Sequence, residues 1–336
     1  MGKLKPMSDS SVPKTAPARR KLSAGPLSAG DKWFFRSTSI AAYFSFVLVA
    51  LVLIFLFLKA WPALQQQGFA FVYGTTWVAE DGQPIVMQIG PMIYGSLLIA
   101  LVGVLIAAPM AISMAYMIVF MLGTRLAKVF TTLIDLLAAL PSVIIGLWGF
   151  YVFTPVAINW ENTLHEYLSW IPVFQVENPE NAFRGSPFIA GWIVAVMIVP
   201  IITSVTREIF SQLDKDLING ALALGGSRLS VFNKVILPTS SGGVVGGILL
   251  GLGRALGETV AIFYVLQISF KINWGNLLES HGGGVASWIL ARFGEASDAE
   301  ISGLMAAGLV LFVITLIVNF VANTIVNRSQ PWRKDS

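Results

Sequence analysis

Six stretches of the chain are too apolar and too long to serve as ordinary elements of a soluble domain: 39–58, 92–122, 129–158, 188–206, 242–268 and 303–326. A helix needs roughly 20 mostly apolar residues to cross the hydrocarbon of a bilayer. Within that layer no water reaches the backbone, so N–H and C=O groups must pair inside helices. The sequence is therefore read as an all-α polytopic membrane protein of six transmembrane helices. Composition agrees, since 55% of the residues are hydrophobic and only 12% are charged, half the ~25% of a soluble domain. The chain has no cysteine, which excludes a disulfide framework, a thiolate metal site and a cysteine nucleophile. Its two histidines, His165 and His281, stand in separate segments without metal-ligand spacing, so no metal site is expected.

The charges between the runs predict the orientation. Before the first run, Lys3, Lys5, Lys14, Arg19, Arg20, Lys21, Lys32 and Arg36 outnumber Asp9 and Asp31. The next connection carries Glu80 and Asp81, with Lys59 at its edge. Arg125 and Lys128 follow, then an acidic segment with Glu161, Glu166, Glu177 and Glu180 against Arg184. The fourth connection holds Arg207, Lys215, Arg228 and Lys234 against Glu208, Asp214 and Asp216. The fifth is acidic on balance, and the tail is basic through Arg328, Arg333 and Lys334. Basic excess thus alternates with six spans, which places both termini and the second and fourth connections in the cytoplasm. Trp61, Trp77, Trp160, Trp170, Trp274 and Trp288 fall on the other side, where interfacial aromatics belong. The net charge of +4 then needs no nucleic-acid partner; the partner it implies is the lipid bilayer. Residues 1–38 read as a disordered basic leader, 39–327 as the membrane domain and 328–336 as a cytoplasmic tail. The first run is longer than a signal-peptide core and lacks a small-x-small site after it, so a retained anchor is expected.

The fifth run carries an arginine and a glutamate inside its apolar stretch. In Gly251-Leu-Gly-Arg-Ala-Leu-Gly-Glu-Thr259, Arg254 and Glu258 are four apart and share one face of a continuous helix. An arginine at mid-membrane costs about 2.5–3.5 kcal/mol on insertion scales, so the pair should face protein or a water-filled path. Two readings stand side by side: a self-satisfied ion pair that fixes helix rotation, and a station for an anion, bound by guanidinium and kept from sticking by the carboxylate. Gly243, Gly247 and Gly251 recur every four residues, and Gly253 and Gly257 do the same; such spacing suits close helix packing or local unwinding.

The connection 207–239 reads as two short helices broken at Gly225-Gly226, the first capped by Asp216 or Asn219 and the second by Ser227. Leu222, Leu224, Leu229, Val231 and Phe232 are apolar residues on an otherwise charged connection, as a partner groove or a lipid surface would require.

This connection resembles the EAA loop of ABC-importer permeases, in which Glu-Ala-Ala is followed by three residues, Gly, nine residues and Ile-x-Leu-Pro. Set on Leu237-Pro238, Gly225 falls on the loop glycine and Ala221 on the second alanine. Asn219 replaces the glutamate, Gly220 the first alanine and Val235 the isoleucine. Narrower likenesses are to the phosphate-specific permeases. They are carried by Leu136-Leu-Ala-Ala-Leu-Pro-Ser-Val-Ile-Ile-Gly-Leu-Trp-Gly149, by Leu249 to Thr259, by Gly308-Leu-Val-Leu-Phe-Val-Ile-Thr315 and by Ala-Trp-Pro at 60–62. The resemblance implies a type I ABC-importer permease fold paired with a second permease subunit. Two copies of a cytoplasmic ATPase that binds ATP and magnesium, and an extracytoplasmic phosphate-binding protein, complete the implied assembly. Coupling to the ATPase falls on Asn219, Gly220, Ala221, Gly225, Ser227, Arg228, Leu237 and Pro238. The substrate path falls on Arg254 and Glu258, with Asp135 as a further candidate near the inner end of the third run. No cofactor is expected in this chain itself, and no P-loop motif occurs in it. Competing readings are a permease for phosphonate, molybdate or sulfate, a secondary anion transporter, and an intramembrane enzyme such as a lipid phosphatase. The last lacks the clustered His, Asp and Arg it needs.

Overall fold

The computed structural model describes residues 28–79, 84–176, 185–272, 276–280 and 282–328. Residues 1–27, Glu80, Asp81, Glu177, Glu180, Arg184, Trp274, His281 and the tail after 328 lie outside this set. The chain divides into two units, one ending at Val52 and one beginning at Leu53. In the first, the described residues form the start of α1 (Ala29–Gln67), and none of them is buried.

The second unit follows the order α2 (Ala70–Tyr73), strands β1 (Trp77–Val78) and β2 (Val86–Met87), then α3 (Gly90–Tyr116) with a π-helical end at Met117–Met121. Next come α4 (Thr124–Ala138), α5 (Ser142–Trp148), a π-helical link and α6 (Thr154–Leu168). After these lie α7 (Pro187–Ser211), α8 (Lys215–Ala223), α9 (Arg228–Val231), a π-helical link at Phe232–Ile236, α10 (Leu237–Leu256) and α11 (Val260–Val265). The last two are α12 (Val285–Phe293) and α13 (Asp298–Arg328). Among the described residues, six helical runs are long and apolar enough to cross a membrane: Ala29–Gln67, Gly90–Met121, Ser142–Leu168, Pro187–Ser211, Arg228–Leu256 and Asp298–Thr324.

Three boundaries differ from the sequence expectation. The first helix already begins at Ala29 and runs to Gln67, so residues 29–38, expected in the disordered leader, are helical. The run 129–158 is not one helix. Pro141 has no N–H and pushes Leu140 out of helical geometry, so α4 ends at Ala138 and a new helix starts at Ser142. The third spanning candidate is therefore 142–168, and α4 is a separate amphipathic helix whose only buried residue is Ile134. Glu161, His165 and Glu166, expected in a connection, lie in α6. The fifth run, expected at 242–268, stops at Leu256 and resumes only as the short α11.

The centre of the unit is the crossing of α3 and α7. Gly103 and Gly191 bring the two backbones close, since a Cβ on Gly191 would stand 2.4 Å from Val102 Cγ1. Around it, Ile99, Ala107, Val194, Ile198 and Ile202 form the largest buried cluster with Ala255 and Leu256 of α10. Small residues here replace the hydrophobic drive that a bilayer does not supply between helices.

The segment between α11 and α12 folds back onto the start of α3. Ser269 pairs with Gly282, Val285 N–H donates to Ser96 Oγ at 2.9 Å, and a Cβ on Gly95 would lie 2.2 Å from the Gly283 carbonyl. Gly282, at φ +70°, approaches the Pro91 carbonyl. The glycine triplet at 282–284 is thus close-packed. Beside it Trp77, Phe270 and Trp288 stack edge-on, and Glu300 accepts from Trp77 Nε1 at 3.0 Å and from Arg292 at 2.8 and 3.1 Å.

Candidate functional site

The α10 helix has two unlike faces. On one, Gly243, Gly247 and Gly251 meet α7: a Cβ on Gly243 would be 2.6 Å from Ile209, and one on Gly251 would be 2.8 Å from Ile202. The other carries Gly246, Leu250, Gly253, Arg254 and Gly257, spaced by three and four so that they share one side. Leu250, Arg254 and Gly257 are exposed there. A Cβ on Gly253 would meet only Asn319 Nδ2, at 3.9 Å, and one on Gly257 only carbonyls of its own turn. The five glycines expected to pack therefore divide: three pack against α7, and Gly253 and Gly257 leave their face open.

Arg254 sits in the last turn of α10, where the helix dipole favours a cation. Among the described residues it makes neither ion pair nor hydrogen bond. Glu258 does not answer it, because the helix ends two residues earlier and the four-residue register is lost at Gly257. The Glu258 side chain is buried, at 8% exposure, and its Oε1 accepts from the Ala261 N–H at 3.4 Å, at the start of α11. The self-satisfied pair of the sequence reading is thus replaced by an unpaired, exposed guanidinium and a buried carboxylate that caps the next helical turn. Behind them α11 packs on α5, where a Cβ on Gly146 would be 2.8 Å from Ala261 Cα. Asp135 is not brought to this place; it lies exposed on α4, apart from the third spanning candidate by the Pro141 break.

At the other end of the same helical run lies the connection 207–239. Two short helices form as expected, broken at Gly225, whose φ of +89° suits glycine. Ser227 caps α9 by accepting from Ser230 N–H at 3.2 Å. The first cap is neither Asp216 nor Asn219 but Asp214, which accepts from Asp216 N–H at 2.9 Å. A cleft of about 320 Å³ runs between α8, α9 and the end of α3, lined by Asn219, Leu222, Arg228, Lys215, Tyr116 and Phe210. It brings Asn219 and Arg228 together, whereas Gly220 and Gly225 have open space around them and Ala221 folds inward, its carbonyl accepting from Gly226 N–H. Leu224 and Leu229 project outward at 92% and 69% exposure. Leu237 and Pro238 begin α10 directly after the π-helical turn, where the proline's missing N–H falls at the change of helical register.

Sequence reasoning missed three polar groups inside the membrane fold. Glu161 is fully buried and accepts from the Ser186 hydroxyl, while Ser186 also caps α7. Glu300 is buried under Arg292. Asn319 stands in the middle of an apolar run on α13 with its Oδ1 buried and unpaired. For Glu300 a signal existed, since Ser297-x-x-Glu300 has capping-box spacing and the Glu300 N–H donates to Ser297 Oγ. For Asn319, an uncharged polar residue between Val318 and Phe320 was the signal.

Residues 107–334 match the family model described as binding-protein-dependent transport system inner membrane component. The phosphate transport system permease protein PstC 2 of Mycobacterium tuberculosis is 33% identical over 314 residues, covering 93% of this chain and 97% of that protein. The phosphate transport system permease protein PstC of Haemophilus influenzae is 34% identical over 303 residues, covering 89% and 94%. Among solved structures, a bacterial alginate ABC transporter in complex with its pentasaccharide-bound periplasmic protein superposes with a TM-score of 0.57. It shows 16% identity over 90% of this chain and 96% of that one. The inward-facing MetNI methionine ABC transporter gives 0.51 at 12% identity, over 70% and 94%. With six membrane-length helices, a permease architecture common to these structures and full-length relatives above 30% identity, the chain belongs to the family of binding-protein-dependent transport system inner membrane components.

Proposed function

We propose that the chain is a phosphate-translocating permease subunit of an ATP-driven importer. The observation that carries this reading is an unpaired guanidinium on the open face of α10, in a chain similar over its length to phosphate transport permeases. The working assembly contains a second, PstA-like permease, two copies of a PstB-like ATPase that bind ATP and Mg²⁺, and a PstS-like phosphate-binding protein. The chain resides in the bacterial inner membrane with both termini in the cytoplasm, and the alternation of basic connections supports that orientation. Arg254 meets the anion through charge and bidentate donors, and its exposure lets the anion leave again. No residue of this chain hydrolyses ATP; the ATPase docks on α8 and α9.

The coupling route follows from continuity. Residues Arg228–Leu256 form one helical run through a π-helical link. At about 1.5 Å per residue, that run links Arg228 to Arg254 over about 39 Å, with the π-helical turn and Pro238 as its single bend point. Tilting of α9 by the ATPase therefore re-aims Arg254, as alternating access requires. The test is uptake of radiolabelled phosphate by proteoliposomes holding the purified assembly, ATP and loaded binding protein. Arg254→Gln should abolish most uptake while the ATPase still co-purifies, and Leu224→Asp should release the ATPase. Uptake by Arg254→Gln at the wild-type rate would refute the pathway assignment.

A further inference from the structure

We propose that Asn319 is a second ligand for the translocated oxyanion, donating from its side-chain amide beside Arg254. The inference rests on the phosphate-permease reading and adds a residue to its path. Asn319 lies in a membrane-length helix between Val318 and Phe320, where an uncharged polar side chain is retained at a cost in free energy. The usual escape is not taken. On the same helix, Thr315 and Thr324 each return their hydroxyl to the carbonyl four residues back, at 2.8 Å. Asn319 makes no hydrogen bond among the described residues, and its Oδ1 is buried without a donor.

Its position is fixed by packing. Val318 rests against the central cluster together with Ile248 and Leu252 of α10, which sets the register of the two helices. One residue further on each, Asn319 Nδ2 comes within 3.9 Å of the point where a Cβ of Gly253 would stand, and nothing else lies within 4 Å of that point. The amide therefore stands beside the open face of α10, next in sequence to Arg254. A tetrahedral oxyanion offers more lone pairs than one guanidinium occupies. A neutral N–H donor adds directional contact without adding charge, so it orients the anion and still lets it go. The absent side chain at Gly253 leaves room for an oxygen between the two donors.

The test compares Asn319→Leu and Asn319→Asp with wild type in the same proteoliposomes, measuring phosphate moved and ATP hydrolysed together. Asn319→Leu should lower phosphate moved per ATP about tenfold, the effect of one charge-assisted hydrogen bond. Asn319→Asp, which keeps the shape and repels the anion, should lower it further. Assembly with the second permease and ATP hydrolysis stimulated by loaded binding protein should stay at wild-type levels. An unchanged ratio in Asn319→Leu overturns the inference, and so does a parallel fall in assembly and hydrolysis, which would make the amide a packing residue. If wild type moves sulfate or molybdate and not phosphate, the phosphate reading fails separately, and the same variants scored with that anion still decide the role of Asn319.

Discussion

Gly251 and Gly253 stand two residues apart in α10, and alanine should have opposite effects at them. At Gly251 the added Cβ meets Ile202 Cγ1 and Cδ1 at 2.8 Å. Ile202 is fully buried in the central cluster and has little room to retreat. Overpacking of this kind costs about 1–3 kcal/mol. Replacing a helical glycine by alanine returns about 0.5–1 kcal/mol in backbone entropy. The net expectation at Gly251 is a loss of about 1–2 kcal/mol, a fall of roughly five- to thirtyfold in the folded ratio. At Gly253 the Cβ finds ordinary contact at 3.9 Å, so the entropy gain stands alone and the variant should be neutral or slightly more stable. Thermal unfolding of the detergent-solubilised assembly, followed by tryptophan fluorescence, reads both. Gly251→Ala should unfold a few degrees lower than wild type, and Gly253→Ala at the same temperature or above. Equal shifts in the two variants would refute the division of α10 into a packed and an open face.

Other outcomes follow from single contacts. Arg292→Ala should destabilise more than Glu300→Ala, because it leaves a 3%-exposed carboxylate with only Trp77 as donor, whereas Arg292, 37% exposed and over the Trp288 ring, reaches solvent when Glu300 is removed; paired thermal scans compare them. Ser227→Ala removes the cap of α9 at a cost of about 1 kcal/mol, seen as faster hydrogen exchange at 228–231 with the spanning helices unaffected. Glu161→Gln keeps an acceptor for the Ser186 hydroxyl and removes an ionisable group from a fully buried site, so unfolding should occur at the wild-type temperature or higher.

The six spans were legible because bilayer thickness imposes a length on apolar runs and nothing else in the sequence imitates it. Their ends were harder to place, for two physical reasons. Hydropathy is blind to backbone connectivity, so 129–158 reads as one apolar run although Pro141 cuts it, and the amphipathic α4 was merged with the helix after it. The Gly257 break was hidden in the same way, and with it the fate of the charged pair, since i, i+4 pairing presumes a helix that continues. The loop helices were read more closely, because capping is local: Ser227 was named from sequence, and the first cap missed by two residues. Glycine spacing lay between these cases. A four-residue repeat marks a face that can approach a neighbour, but only the fold decides whether a neighbour is there. Ile202, Val205 and Ile209 fill the face of Gly243, Gly247 and Gly251, while the face of Gly253 meets a single amide. That difference separates a packed face from an open one, and Arg254 lies on the open face.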